Sequence, residues 1–138
     1  EAVDDWNKIH EKIQFKLDTE RLTLPREIEI SLFRVIQECV NNAIKHSGAE
    51  KIEISLKHNE RNNYLELSVK DDGVGISTER MNTADRFGLR GMRDRIQNLK
   101  GKFTVKPSET TGTTITANIP FKKTKENIDE LSKTSKKD

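Results

Sequence analysis

Cysteine, tryptophan and tyrosine each occur once in this chain, and proline only three times. The lone Cys39 excludes an internal disulfide and fits a reducing cytoplasm. No apolar run approaches the roughly 20 residues that a membrane-spanning helix needs, and no stretch resembles a signal peptide. Neither sign of charge dominates: 25 Lys and Arg stand against 23 Asp and Glu, a net +2. The final stretch, 122–138, carries six Lys and four acids, so setting its +2 aside leaves residues 1–121 formally neutral. A neutral body argues against a nucleic-acid module and its basic face, and no direct nucleic-acid contact is expected. Hydrophobic residues make up only 32% and charged residues 35%, and the final stretch, with Ile128 and Leu131 its only larger aliphatics, accounts for part of that imbalance. It reads as a poorly ordered basic tail or the remains of a linker. At 138 residues the chain is long enough for one domain with its own core and too short for two comfortable ones. The chain opens in a charged, partly amphipathic stretch that suits a piece of something longer.

What is present is patterned. Ile13, Phe15 and Leu17 alternate with polar residues, predicting a short strand that ends near Asp18. Leu22-Thr23-Leu24-Pro25 is a connector, with Pro25 just before or inside a helix start and Glu27 and Glu29 following it. Leu32, Val35, Ile36, Cys39, Val40, Ala43 and Ile44 recur at helical spacing, predicting a helix over 26–46 that Ser47-Gly48 stops. Ile52, Ile54 and Leu56, then Leu65, Leu67 and Val69, alternate on either side of a polar turn at 59–63, which predicts a hairpin. Residues 76–87 read as a polar loop. Leu89, Met92, Ile96 and Leu99 predict a second helix over 88–100, ended by Gly101. Phe103 and Val105 make a short strand, and a last strand after Gly112 carries Ile115, Ala117 and Ile119. The whole predicts an α+β fold: a two-layer α/β sandwich whose mixed, mainly antiparallel sheet has helices on one face.

Glycine is absent before position 48, and five of the seven glycines fall in three places: Gly73 and Gly75, Gly88 and Gly91, and Gly112. Each place follows a strand or opens an element, where close backbone approach to a ligand is useful, although turn and cap roles account for any one alone. Asp71 adds to this. It continues the inward face of Leu65, Leu67 and Val69, and an inward carboxylate is costly unless hydrogen-bonded. Two readings stand. Asp71 forms an Asx-turn with Asp72 and Gly73, or it accepts a hydrogen bond from a ligand amino group while Gly73 and Gly75 let a flat ring lie against the backbone. Thr113 shares the inward parity of Ile115, Ala117 and Ile119, so both polar residues point toward one site. On the first helix, Arg34, Glu38, Asn41, Asn42 and Lys45 cluster opposite the apolar face. Arg34 reads as solvated surface. Glu38 and Asn42, stacked one turn apart, offer hard oxygens suited to Mg²⁺ carried by phosphates, and Lys45 adds a cation a turn further on. His46 serves either there or as a partner of the helix C-terminus. Gly88-Leu89-Arg90-Gly91-Met92 opens the second helix, whose positive end suits phosphates; neither the phosphate loop nor the dinucleotide glycine motif is present.

These residues resemble, in order, the four boxes of the ATP-binding domain of sensor histidine kinases, within the GHKL ATPase superfamily. Glu38-Cys39-Val40-Asn41-Asn42-Ala43-Ile44-Lys45-His46 resembles the N box, Asp71-Asp72-Gly73-Val74-Gly75 the G1 box, and Gly88-Leu89-Arg90-Gly91-Met92 the G2 box. Gly112-Thr113 resembles the closing Gly-Thr before the last strand. The likeness covers about 24–121, and four boxes in order are specific where one is not. It implies a Bergerat-type sandwich over 1–121 that binds ATP and Mg²⁺. Asp71 then takes the adenine amino group with Thr113 helping through a water, while Asn42 and Glu38 hold the metal. Glu38, Lys45 and His46 take the catalytic positions, and Gly88, Leu89, Gly91 and Met92 cradle the phosphates. Glu38 with Lys45-His46, and a short lid at 76–87, resemble the kinases that pair with LuxR-type response regulators. That class implies a full-length homodimer in the cytoplasm, including the cytoplasmic part of a membrane-bound sensor.

The chain departs from the whole-kinase pattern. His10 precedes Glu11 as a phosphoacceptor histidine precedes an acid, but no pair of long amphipathic helices surrounds it. The chain thus resembles the nucleotide-binding half, with the dimerisation and phosphoacceptor domain missing. Three alternatives stand beside this one: an anti-sigma-factor serine kinase, a gyrase- or mismatch-repair-type ATPase clamp in which Glu38 activates water, and a domain that has lost ATP.

Overall fold

Period-two alternation sets the sheet. Among the described residues five strands, β1 (Gln14–Thr19), β2 (Lys51–Asn59), β3 (Tyr64–Asp71), β4 (Lys102–Pro107) and β5 (Thr113–Pro120), lie in the order β1-β2-β3-β5-β4. The computed structural model describes residues 14–19, 21–75, 87–107 and 111–123, with Lys16, Leu17, His46 and Ser47 described in backbone only. The expectations for Ile13, His10, most of the 76–87 loop and most of the tail therefore lie outside the described residues. β1 runs parallel to β2 and every other pairing is antiparallel, the mixed, mainly antiparallel sheet expected from the pattern. In the β2–β3 hairpin Ile54 faces Val69 and Leu56 faces Leu67. Its turn is closed by Asn63 at φ 57° and by Arg61 N–H donating to Asn59 Oδ1 at 3.0 Å.

The first helix, α1 (Arg26–Asn42), starts after Pro25, whose φ of −54° suits a helix entry, and carries Glu27 and Glu29 at its positive end. Leu32, Val35, Cys39 and Val40 form its buried stripe. The single helix expected over 26–46 is interrupted. At Ala43 the backbone widens into a π turn, Ala43–Ser47, closed by Gly48 in the left-handed region. Ala49 N–H reaches back to the Ala43 carbonyl at 3.2 Å. The wider turn lets Ala43 and Ala49 both sit in the core while the chain swings into β2.

The second helix, α2 (Leu89–Asn98), buries Leu89, Met92 and Ile96. Its end differs from expectation. Lys100, at φ 61°, is the left-handed residue, with its N–H on the Gln97 carbonyl and Gly101 N–H on the Ile96 carbonyl. This is a Schellman ending. Gly101 is needed for space: an added Cβ there would meet the Asn118 carbonyl at 2.6 Å.

Both helices lie over the same sheet face. Ile52, Leu65, Leu67 and Ile119 share one core with Val35, Val40, Met92 and Ile96, and Cys39 Sγ lies 3.7 Å from Met92 Sδ across the helix pair. Each such side chain contributes about 1.5–3 kcal/mol of apolar burial. The last strand, β5, inserts between β3 and β4, with Val69 opposite Ile115 and Lys70 opposite Thr114. Among the described residues no helix is long and apolar enough to cross a membrane.

Candidate nucleotide site

Asp71 closes β3 opposite Ile52 and is half-buried on the inward side. Its Oδ1 accepts Gly73 N–H at 2.9 Å, so the Asx-turn is present. The carboxylate also acts across the layers. Burial pushes the Cys39 thiol far up, and the charges of Glu38 and then Asp71 add to that. By strand alternation Asp71 lies on the sheet face of Leu65, Leu67 and Val69, which the helices cover.

The neighbouring Asp72 points the other way. Its Oδ1 accepts both Glu50 N–H, at 2.8 Å, and Lys51 N–H, at 2.9 Å. The Lys51 N–H does most to hold its carboxyl below the usual carboxylate range; desolvation opposes it, and the Glu50 N–H, the residue's own N–H and the charge of Lys51 assist.

The start of β5 meets the end of β3. Register continued by one residue from Lys70–Thr114 sets Thr113 across from Asp71, and Thr113 is buried at 2% exposure. Gly112, at φ 93°, packs so closely that an added Cβ would overlap the Asp71 carbonyl. Gly75, at φ 82°, folds back over the same place, where a Cβ would come 2.9 Å from the Gly112 carbonyl oxygen and 3.6 Å from Thr113 Oγ1. The two turns are glycine because backbone approaches backbone. Gly73 is buried within the first of them, and Val74 stands out at 76% exposure.

The helix layer supplies the other side. Helical spacing places Asn42 on the polar face opposite the apolar stripe, and the structure corrects this. Asn42 is 8% exposed and its Nδ2 donates to the Phe87 carbonyl at 2.6 Å. α1 is flanked by α2 as well as by the sheet, so its buried arc is wider than its apolar arc. Glu38, one turn earlier, is exposed and reaches Gly88, where an added Cβ would lie 2.8 Å from its Oε2. The N box therefore abuts the entry to α2. Phe87, read from sequence as part of a polar loop, is a core residue at 3% exposure. It and Met92 occupy the two positions of a hydrophobic staple around Gly88, the helix cap.

Within Gly88–Met92, Leu89 and Met92 turn into the core, which leaves only their backbone for a ligand. Gly91 is exposed and a Cβ there would meet open space. Lys45 is exposed on the π turn, and the His46 side chain lies outside the described residues. Asn42 suits a hard cation: its amide nitrogen is committed to Phe87, which leaves Oδ1 as the atom with lone pairs to offer. Among the described residues no cluster of three His, Cys, Asp or Glu could hold a metal. A cation here would take Asn42, Glu38, phosphate oxygens and water. A separate groove, bordered by Glu29, Ile30, Phe33, Arg34 and Gln37, runs along the earlier half of α1 and shares none of these residues.

An inward carboxylate at a strand end, paired glycine turns packed over it and a buried amide on the facing helix, carried by a two-layer sandwich, define a GHKL-type ATP-binding domain. The chain belongs to the family of histidine kinase-, DNA gyrase B-, and HSP90-like ATPases, whose profile matches residues 27–123. It is 36% identical over 116 residues to the signal transduction histidine-protein kinase/phosphatase DegS of Bacillus subtilis, covering 80% of this chain and 29% of that protein. It is 31% identical over 128 residues to the sensor protein VraS of Staphylococcus saprophyticus, covering 93% and 35%. The chain thus spans about a third of these relatives. Among solved structures, a histidine kinase domain from Erythrobacter litoralis EL346 superposes with a TM-score of 0.73 at 21% identity, over 86% of this chain and 57% of that one. The ATP-binding domain of PrrB from Mycobacterium tuberculosis superposes at 0.71 and 20%, over 88% and 90%. These two share the fold. The chain is a histidine-kinase-type ATP-binding domain.

Proposed function

We propose that this domain binds Mg·ATP and delivers the γ-phosphate to a histidine on a helical dimerisation domain outside the chain. A nitrogen of that imidazole attacks the γ-phosphorus, the bond to the bridging oxygen breaks, ADP leaves and the imidazole proton is released. The phosphoryl group then passes to a response regulator of the LuxR type, and the full-length protein works as a homodimer. The observation that carries this reading is the convergence of Asp71, Gly75, Gly112 and Thr113 at one sheet end, beside Glu38 and Asn42 at the entry to α2.

Asp71 accepts from the adenine amino group, with Thr113 beside it through a water. Gly73 and Gly75 give the ring its flat bed. Asn42 and Glu38 hold Mg²⁺, which when bound neutralises charge on the phosphates. Lys45 and His46 face the phosphates, and the backbone of Gly88, Leu89, Gly91 and Met92 cradles them. The domain is residues 1–121, with its core at about 24–121 and the basic stretch 122–138 as a tail.

The test is to incubate the full-length sensor with γ-labelled ATP and examine the stability of the protein-bound label. Label lost in acid and kept in alkali is expected, and absent after Asn42→Ala, which should also weaken Mg·ATP more than magnesium-free ATP. Acid-stable label would favour a serine kinase. Steady hydrolysis by this chain alone, abolished by Glu38→Gln, would favour an ATPase clamp.

A further inference from the structure

The G1 turn carries two carboxylates, and only Asp71 is used by the proposed chemistry. Asp72 sits where two parts of the site are joined. After Asn42 the chain passes through the π turn and Gly48 to Glu50 and Lys51, where β2 begins. Asp72 meets it there on both backbone sides: its Oδ1 accepts Glu50 N–H and Lys51 N–H, and its own N–H donates to the Lys51 carbonyl at 3.2 Å. On the opposite flank, a Cβ on Gly112 would come 3.0 Å from Asp72 Cα, and Thr111 Oγ1 donates to the Asp72 carbonyl at 3.4 Å. The residue next to it is Asp71, whose carboxylate turns into the site.

We infer that Asp72 is a positioning residue: its carboxylate ties the end of β3 to the segment leaving α1 and so fixes where Asp71 stands relative to Asn42. Three pieces of chain that carry site residues meet on this one residue: the exit of the N-box helix, the G1 turn and the Gly112 turn. Charge-assisted bonds from two successive N–H groups to one oxygen hold that junction in a single geometry. Small displacements matter here because recognition by a hydrogen-bond acceptor depends steeply on its place. The inference rests on the reading of Asp71 as the acceptor for adenine.

Both bonds end on Oδ1, which gives a sharp test. Asp72→Asn keeps that oxygen; Asp72→Ala removes it. Affinities for ATP and GTP are measured by calorimetric titration of the parent and both variants. The parent is expected to prefer ATP, since a carboxylate pairs with the adenine amino group and opposes the guanine carbonyl. Asp72→Ala should lower the ATP-to-GTP ratio about tenfold, while Asp72→Asn holds it within about twofold. General loosening of the fold would weaken both nucleotides alike, and Ile96→Val serves as a control for that. If Asp72→Ala does not fold, Asp72→Ser, whose hydroxyl is too short to take both bonds, carries the same comparison. A folded Asp72→Ala with the parent's ratio overturns the inference, and so does Asp72→Asn losing as much as Asp72→Ala. A parent that binds ATP and GTP equally overturns the reading of Asp71, and this inference with it.

Discussion

Asp71 and Asp72 are chemically alike and adjacent, yet strand alternation sends them to opposite sides of the sheet end. Asp71 meets the helix layer and the start of β5, and Asp72 meets the backbone of β2. Asp71→Asn keeps an oxygen for Gly73 N–H but replaces one acceptor by a donor, which opposes an adenine amino group. We expect ATP affinity to fall about a hundredfold or more with the far-ultraviolet circular dichroism unchanged; equal affinities in calorimetry would remove Asp71 from the site. Asp72 supplies a pH signature. A carboxylate lowered by its partners stabilises the fold above the ordinary value of 3.8, and that contribution fades as pH falls through the lower folded value. Urea titrations should therefore show parent and Asp72→Ala apart at neutral pH and closer well below pH 3.8. The gap should be modest, because the group is exposed and salt-screened.

At the scale of elements, each end of α2 is built by tertiary packing as much as by local preference. Glycine after a helix usually marks the left-handed residue, and here that reading is off by one. Lys100 takes the left-handed conformation while Gly101 makes room for Asn118 and Ile96. Lys100→Gly should thus raise stability by about 0.5–1 kcal/mol, read as a shift of the urea midpoint with the slope unchanged. The start of α2 has no side-chain cap, and Gly88 lets Glu38 approach. α1 ends in a π turn, so Lys45 and His46 leave the line expected of a continuous helix. Ala43 and Ala49, joined by a backbone hydrogen bond across that turn, are both buried.

For the whole molecule, the helix pair closes over the sheet at Cys39, which touches Met92 and whose thiol is raised by burial and then by the charges of Glu38 and Asp71. A thiol buried and raised in this way is a poor nucleophile. At pH about 8 a thiol reagent should label native protein far more slowly than urea-unfolded protein, and ATP should slow it further by disfavouring openings of the fold. Rapid labelling of the native protein would show that the helix layer opens readily over the site.

The strands, the two helices, the sandwich and the inward parity of Asp71 and Thr113 were legible in the residue pattern. Alternation and helical period are local, and a residue's face follows from its neighbours two, three or four places away. The resemblance of the four boxes likewise needs only order and spacing. The burial of Asn42 was not legible, because it depends on Phe87, 45 residues on. Nor was the role of Asp72, whose partners lie 22 and 21 residues earlier. Long-range packing alone places β5 between β3 and β4, and so sets Thr113 across from Asp71. Strand order is a matter of which edges meet across long loops, and no local period encodes that.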